Sequence, residues 1–139
     1  MSTKEANVAL LKQAYAAWNE KKGTDPSCWT CLLADDAKLR SLADGVSDGA
    51  FARERSGPAE IVGFLEDLSR DWEMLYFVVD EYIAQGDRVV AIGSTAWKNK
   101  ATGKTASTPK VDVWRFRDGK AVDYAEYLDT AGVFAATQS

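Results

Sequence analysis

The chain has 139 residues, of which 46% are hydrophobic and 27% charged, with a net charge of −4, two cysteines and no histidine. This length and balance fit a single globular domain spanning residues 1–139. Without histidine there is no Ser-His-Asp triad, no Cys-His pair and no His-ligated zinc, so acid–base chemistry falls to Asp, Glu, Tyr, Lys or Cys.

The first twenty residues alternate apolar and charged positions, with Lys4, Glu5 and Lys12 breaking any apolar run. There is no signal-peptide core and no bilayer-spanning stretch, so a cytoplasmic location without a membrane partner is expected. Ser2 and Glu5 have capping-box spacing, and Val8, Leu11, Tyr15 and Trp18 follow on one helical face. Lys21, Lys22 and Gly23 close a helix of about five turns. Asp25-Pro26 reads as an N-cap with proline at the first helical position, opening a short helix through Leu33. Ala37–Leu42 reads as a short strand, and Asp44–Gly57 as a loop in which Arg53-Glu54-Arg55 reads as solvated rather than as gating the pocket or gripping a polar substrate tail. Ser56-Gly57-Pro58 opens a further helix, with Ile61, Phe64, Leu65, Leu68 and Trp72 at its apolar period.

The second half changes character. Met74–Ala84, Val89–Trp97, Lys110–Phe116 and Ala121–Leu128 are rich in Val, Ile, Tyr, Phe and Trp, with turn signals between them. Helices first and an antiparallel meander afterwards indicate an α+β fold. Strands this long twist and curl, so the sheet should be curved, covered by the N-terminal helices and wrapped around a pocket.

The last hairpin bears on chemistry, because register decides which side chains face that pocket. A two-residue Asp118-Gly119 turn sets Trp114 beside Asp123. A three-residue Arg117-Asp118-Gly119 loop sets Trp114 opposite Val122, Asp112 opposite Tyr124 and Lys110 opposite Glu126. The second register is preferred, since it gathers Trp114, Phe116, Val122, Tyr124 and Leu128 on one apolar face together with Asp112 and Glu126. Two carboxylates on an apolar surface suit proton transfer, one as base and the other as hydrogen-bond donor. The plainer reading is structural: Glu126 pairs with Lys110, and Asp112 bonds Tyr124.

Tyr15-Ala16-Ala17-Trp18-Asn19, Leu33-Ala34-Asp35-Asp36-Ala37, and Trp114–Lys120 running on to Glu126-Tyr127-Leu128-Asp129 resemble the SnoaL-like family. That family belongs to the nuclear transport factor 2-like superfamily, alongside ketosteroid isomerases, polyketide cyclases and limonene epoxide hydrolase. The resemblance runs along nearly the whole chain. It implies a cone-shaped α+β barrel with a deep apolar pocket, an apolar small-molecule ligand and a homodimer formed through the sheet. It also implies an acid/base carboxylate at Glu126, where the cyclases carry aspartate, and an oxyanion-donor position at Asp112, where relatives often carry histidine. The isomerase base falls at Ser41, which cannot abstract a carbon-bound proton unaided, and its tyrosine donor falls at Ala14, one residue before Tyr15. Steroid isomerisation is therefore disfavoured against cyclase-like or hydrolase-like carboxylate chemistry.

The expected site thus has Glu126 as acid/base, Asp112 as second carboxyl oriented by Tyr124, and Trp114, Tyr15, Trp18 and Ser41 shaping the pocket, with no metal and no cofactor. A non-catalytic binding or dimeric interaction module of the same fold is the alternative. Cys28-Trp29-Thr30-Cys31 has redox-pair spacing at a helix start, where the macrodipole lowers a thiol pKa, but it precedes no βαβ unit and reads better as packing. The lysines and arginines are scattered, so no nucleic-acid partner is expected. Trp97, near Lys98 and Lys100, is the one arguable sheet-edge contact.

Overall fold

A computed structural model describes residues 3–42 and 54–139. Helix α1 (Thr3–Glu20) buries Asn7, Leu11, Ala14, Tyr15 and Trp18 along one face, as its apolar period requires. It ends where Lys22 (φ 51°) and Gly23 (φ 71°) turn left-handed, and the Gly23 N–H donates to the Trp18 carbonyl at 3.0 Å. The proposed cap at Ser2 lies outside the described residues.

Asp25 Oδ1 accepts from Ser27 N at 3.0 Å, but the N-cap of α2 is Pro26 rather than Asp25, and the helix is only Ser27–Thr30. The expected helix through Leu33 stops short because the backbone there is taken up by the sheet. Leu32 O accepts from Ala121 N at 2.8 Å, and strand β1 (Leu33–Ser41) begins at once. Most of the Asp44–Gly57 loop lies outside the described residues, Arg53 included. Arg55–Ser56 form β2 against Leu39 and Lys38 of β1, and buried Arg55 lays its guanidinium 4.5 Å over the Phe64 ring. Helix α3 (Pro58–Asp71) starts after Gly57 (φ 85°). It ends one residue before Trp72, which is extended and pairs with Asn99, so Trp72 belongs to the sheet rather than to the helical face.

Strands β3 (Trp72–Gln85), β4 (Arg88–Asn99), β5 (Thr105–Arg117) and β6 (Lys120–Leu128) form the antiparallel meander, and α4 (Thr130–Ala136) closes the chain. The sheet order is β2-β1-β6-β5-β4-β3. It is not wholly antiparallel, since β1 runs parallel to β6, with Leu39 beside Tyr124 and Ser41 beside Glu126. Irregularities interrupt the ladders at Leu33/Lys38, Met74/Tyr76, Val79/Glu81 and Arg115/Phe116, and such bulges bend a strand and increase its twist. The outcome is an α+β fold with a curved, unclosed six-stranded sheet and the helices against its inner face. The buried core joins α1, α2 and α3 to that face through Leu11, Trp18, Trp29, Ile61, Phe77, Val89 and Trp114. No helix among the described residues is long and apolar enough to cross a membrane.

Proline in a strand normally needs a free edge, because it donates nothing to a ladder. Pro109 lies in β5 opposite Ser94 of β4, just beyond Lys110, where the pairing with β6 ends at Leu128.

Candidate functional site

The β5–β6 hairpin turns on two residues, with Asp118 (φ 52°) and Gly119 (φ 77°) both left-handed and Arg117 paired with Lys120, the geometry of a type I′ turn. One extra residue on β6, Val122, then enters between Phe116↔Ala121 and Arg115↔Asp123. Beyond that bulge Trp114 faces Tyr124 and Asp112 faces Glu126. The three-residue loop favoured from the sequence is therefore wrong, as are its cross-strand partners. The inward face survives for Asp112, Trp114 and Tyr124, because the bulge reverses the parity that the shorter turn would have given, but Val122, expected on that face, is the bulge residue and Ala121 joins the core instead. Asp112, Trp114, Tyr124 and Glu126 all line one cavity of about 100 Å³ between sheet and helices.

At its polar end the Asp112 carboxylate, 2% exposed, meets three donors. Tyr15 reaches across from α1 and donates to Oδ2. Oδ1 accepts from Tyr124 at 3.0 Å and from Lys110 Nζ at 2.6 Å. The Tyr15 oxygen in turn accepts from Trp114 Nε1 at 2.9 Å. Lys110, 6% exposed, lies 3.0 Å from Glu126 Oε1 and 4.8 Å above the Phe77 ring.

Burial alone would depress the Lys110 pKa, but the Asp112 and Glu126 carboxylates outweigh it and leave it raised. Burial, reinforced by the charge of Asp112, lifts the Tyr15 and Tyr124 phenols well above their ordinary value. Half-buried Tyr82, on β3, is pushed to about 12 by burial and then by Asp112. Lys110 is thus held as the ammonium, and the tyrosines keep their protons.

The remaining walls are apolar, and all five tryptophans line them. Trp29 stacks on Trp114 with ring centroids 5.4 Å apart, and Tyr15 stacks on Phe77 at 5.4 Å. The structure brings together Tyr15, Trp18, Asp112, Trp114, Tyr124 and Glu126. Ser41 is fully buried beside Glu126 on the neighbouring strand and is not part of the lining.

Lys110 is the member that sequence reasoning missed, having been read only as a cross-strand partner. Its position two residues before Asp112, on the same face of β5, was the available signal. Trp97 is also reassigned, since it packs against the core and lines the cavity instead of standing at a sheet edge. The Cys28–Cys31 pair stays outside the cavity. Burial and the nearby Asp25 charge push the Cys28 thiol up to about 11, against the lowering expected from a helix start.

The chain belongs to the SnoaL-like family, whose domain matches residues 11–124. Solved structures agree on the fold. An NTF2-like protein from Burkholderia thailandensis E264 superposes with a TM-score of 0.81 at 24% identity, over 96% of this chain and 98% of its own. Another, from Burkholderia xenovorans LB400, gives 0.79 at 24% identity over 98% of each chain. TerC, co-crystallised with polyporic acid, gives 0.77 at 24% identity over 96% of this chain and 99% of its own. No curated protein matches the sequence.

Proposed function

We propose that the protein is a small-molecule enzyme that performs carboxylate acid–base chemistry on an apolar, oxygenated ring compound held in this cavity. The supporting observation is the pair of buried carboxylates, Asp112 and Glu126, opposite each other on the inner face of the last hairpin and bridged by Lys110. Their surroundings differ, and so do their roles. Asp112 is held by Tyr15, Tyr124 and Lys110, so it fixes the ammonium in place. Among the described residues Glu126 meets Lys110 alone, and it is the carboxylate free to take a proton from the substrate and return it. Tryptophan walls exclude water and hold the ring, which strengthens every charge interaction inside. Proton transfer of this kind uses no cofactor.

Glu126→Gln keeps the shape and removes the base. It should abolish turnover while circular dichroism and the melting temperature show an intact fold, and full activity in that variant would sink the assignment.

A second reading, a binding module without chemistry, is favoured by the saturation of Asp112 with internal donors. It requires ligand stabilisation of the fold to be equal in the parent, Asp112→Asn and Glu126→Gln.

The protein is also proposed to form a homodimer through the outer face of the sheet, where Tyr76, Val78, Ile83 and Tyr127 are exposed.

A further inference from the structure

Counting donors and acceptors at the polar end of the cavity specifies what it can accept. The Lys110 ammonium has three protons and three acceptors around it, Asp112 Oδ1 at 2.6 Å, Glu126 Oε1 at 3.0 Å and the Tyr124 oxygen at 3.1 Å. The Tyr15 and Tyr124 hydroxyls both give their protons to Asp112, and Trp114 gives its N–H to Tyr15. On the neighbouring wall, Thr95 donates to the Tyr76 carbonyl at 2.8 Å and Thr108 to the Pro109 carbonyl at 2.7 Å. The cluster has no donor to spare.

Acceptors are another matter. Glu126 is 7% exposed and lines the cavity, yet among the described residues it meets a single donor group, Lys110, whereas a carboxylate offers roughly four lone-pair positions. The cluster sets two carboxyl groups, Asp112 and Glu126, against the single ammonium of Lys110. The cavity onto which it opens is lined by tryptophan rings, whose faces attract cations through the ring quadrupole.

We infer that the ligand of this cavity carries a protonated amine on an apolar body, donating its N–H to Glu126 while its charge lies against the tryptophan rings. The inference rests on the cavity being the ligand site, not on Glu126 being the base, and adds the group that the polar end selects. An anionic ligand would meet a carboxylate and no free donor in the cluster. A ligand without a donor would take the second Glu126 oxygen out of water and give it no hydrogen bond in return, which costs binding energy.

Three compounds with one ring test this: cyclohexylmethylamine, cyclohexylmethanol and cyclohexanecarboxylate. Each is titrated into the wild-type protein at pH 7, with binding followed by tryptophan fluorescence and by calorimetry. The amine should bind at least about tenfold more tightly than the alcohol, and the carboxylate more weakly than either. In Glu126→Gln the amine should lose its advantage over the alcohol. If the alcohol or the carboxylate binds wild type as tightly as the amine, the ligand class is overturned and the cavity remains a ligand site. If none of the three binds, both readings fall. Amine affinity unchanged in Glu126→Gln also overturns the inference. The ranking in wild type decides the matter even if that variant fails to fold.

Discussion

Lys110 holds the cluster together, because each carboxylate it touches lies in a region where a lone charge is costly. Its bond to Asp112 at 2.6 Å is short and charge-assisted. Lys110→Met would leave two buried carboxylates opposite each other without a counter-charge. Removing one partner from a buried ion pair costs about 3–5 kcal/mol, and urea unfolding at pH 7 should show a loss of that order. Lys110→Arg should recover part of it. The tyrosines make a pH prediction whose sign follows from their raised pKa values. A group that holds its proton more tightly when folded contributes stability below its ordinary pKa and loses it as pH rises towards the folded value. Tyr15 and Tyr124 ordinarily titrate near 10.0 and Lys110 near 10.5, and all three are raised. The melting temperature should therefore hold up to about pH 10 and fall above it. Tyr15→Phe should flatten that alkaline limb, at the cost of about 1–2 kcal/mol for the lost hydrogen bonds at neutral pH.

Among the elements, the strands depend on close backbone approach and the terminal helix on its cap. Gly93 of β4 sits where β3 bulges, and a Cβ there would lie 1.9 Å from the Val78 carbonyl oxygen. Neither strand can yield without breaking the ladder. Gly93→Ala should cost about 3 kcal/mol or more by denaturant unfolding. Asp129 caps α4, its carboxylate accepting from Gly132 N at 3.0 Å. Asp129→Ala should cost about 1 kcal/mol by the same measurement. The hairpin shows where local reading stops. The Asp118-Gly119 pair signals a turn, but no residue signals the bulge at Val122. Bulges answer to the curvature of the whole sheet, so the partners of Asp112 and Trp114 were misassigned while their common face was not.

At the scale of the molecule, the sheet has two apolar sides and the helices cover only one. Tyr76, Val78, Ile83 and Tyr127 stand on the other, which is why a dimer through that face is proposed. Sedimentation should show a wild-type dimer and a monomeric Val78→Glu, and a wild-type monomer would remove the proposal. The order of helices before long β-branched and aromatic strands was enough to read the α+β class, since period and propensity are local properties of the chain. The missing histidine likewise confined acid–base chemistry to carboxylates, tyrosine and lysine before any fold was known. Which of those groups meet was a matter of tertiary structure. Tyr15 and Asp112 are 97 positions apart and touch only because α1 lies across the curved sheet. Ser41 lies beside Glu126 and yet outside the cavity. Lys110 bridges both carboxylates because strand alternation puts it on the face of Asp112 while the bulge brings Glu126 opposite. Periodicity can place a side chain on a face, but only the packed sheet and helices determine what that face encloses.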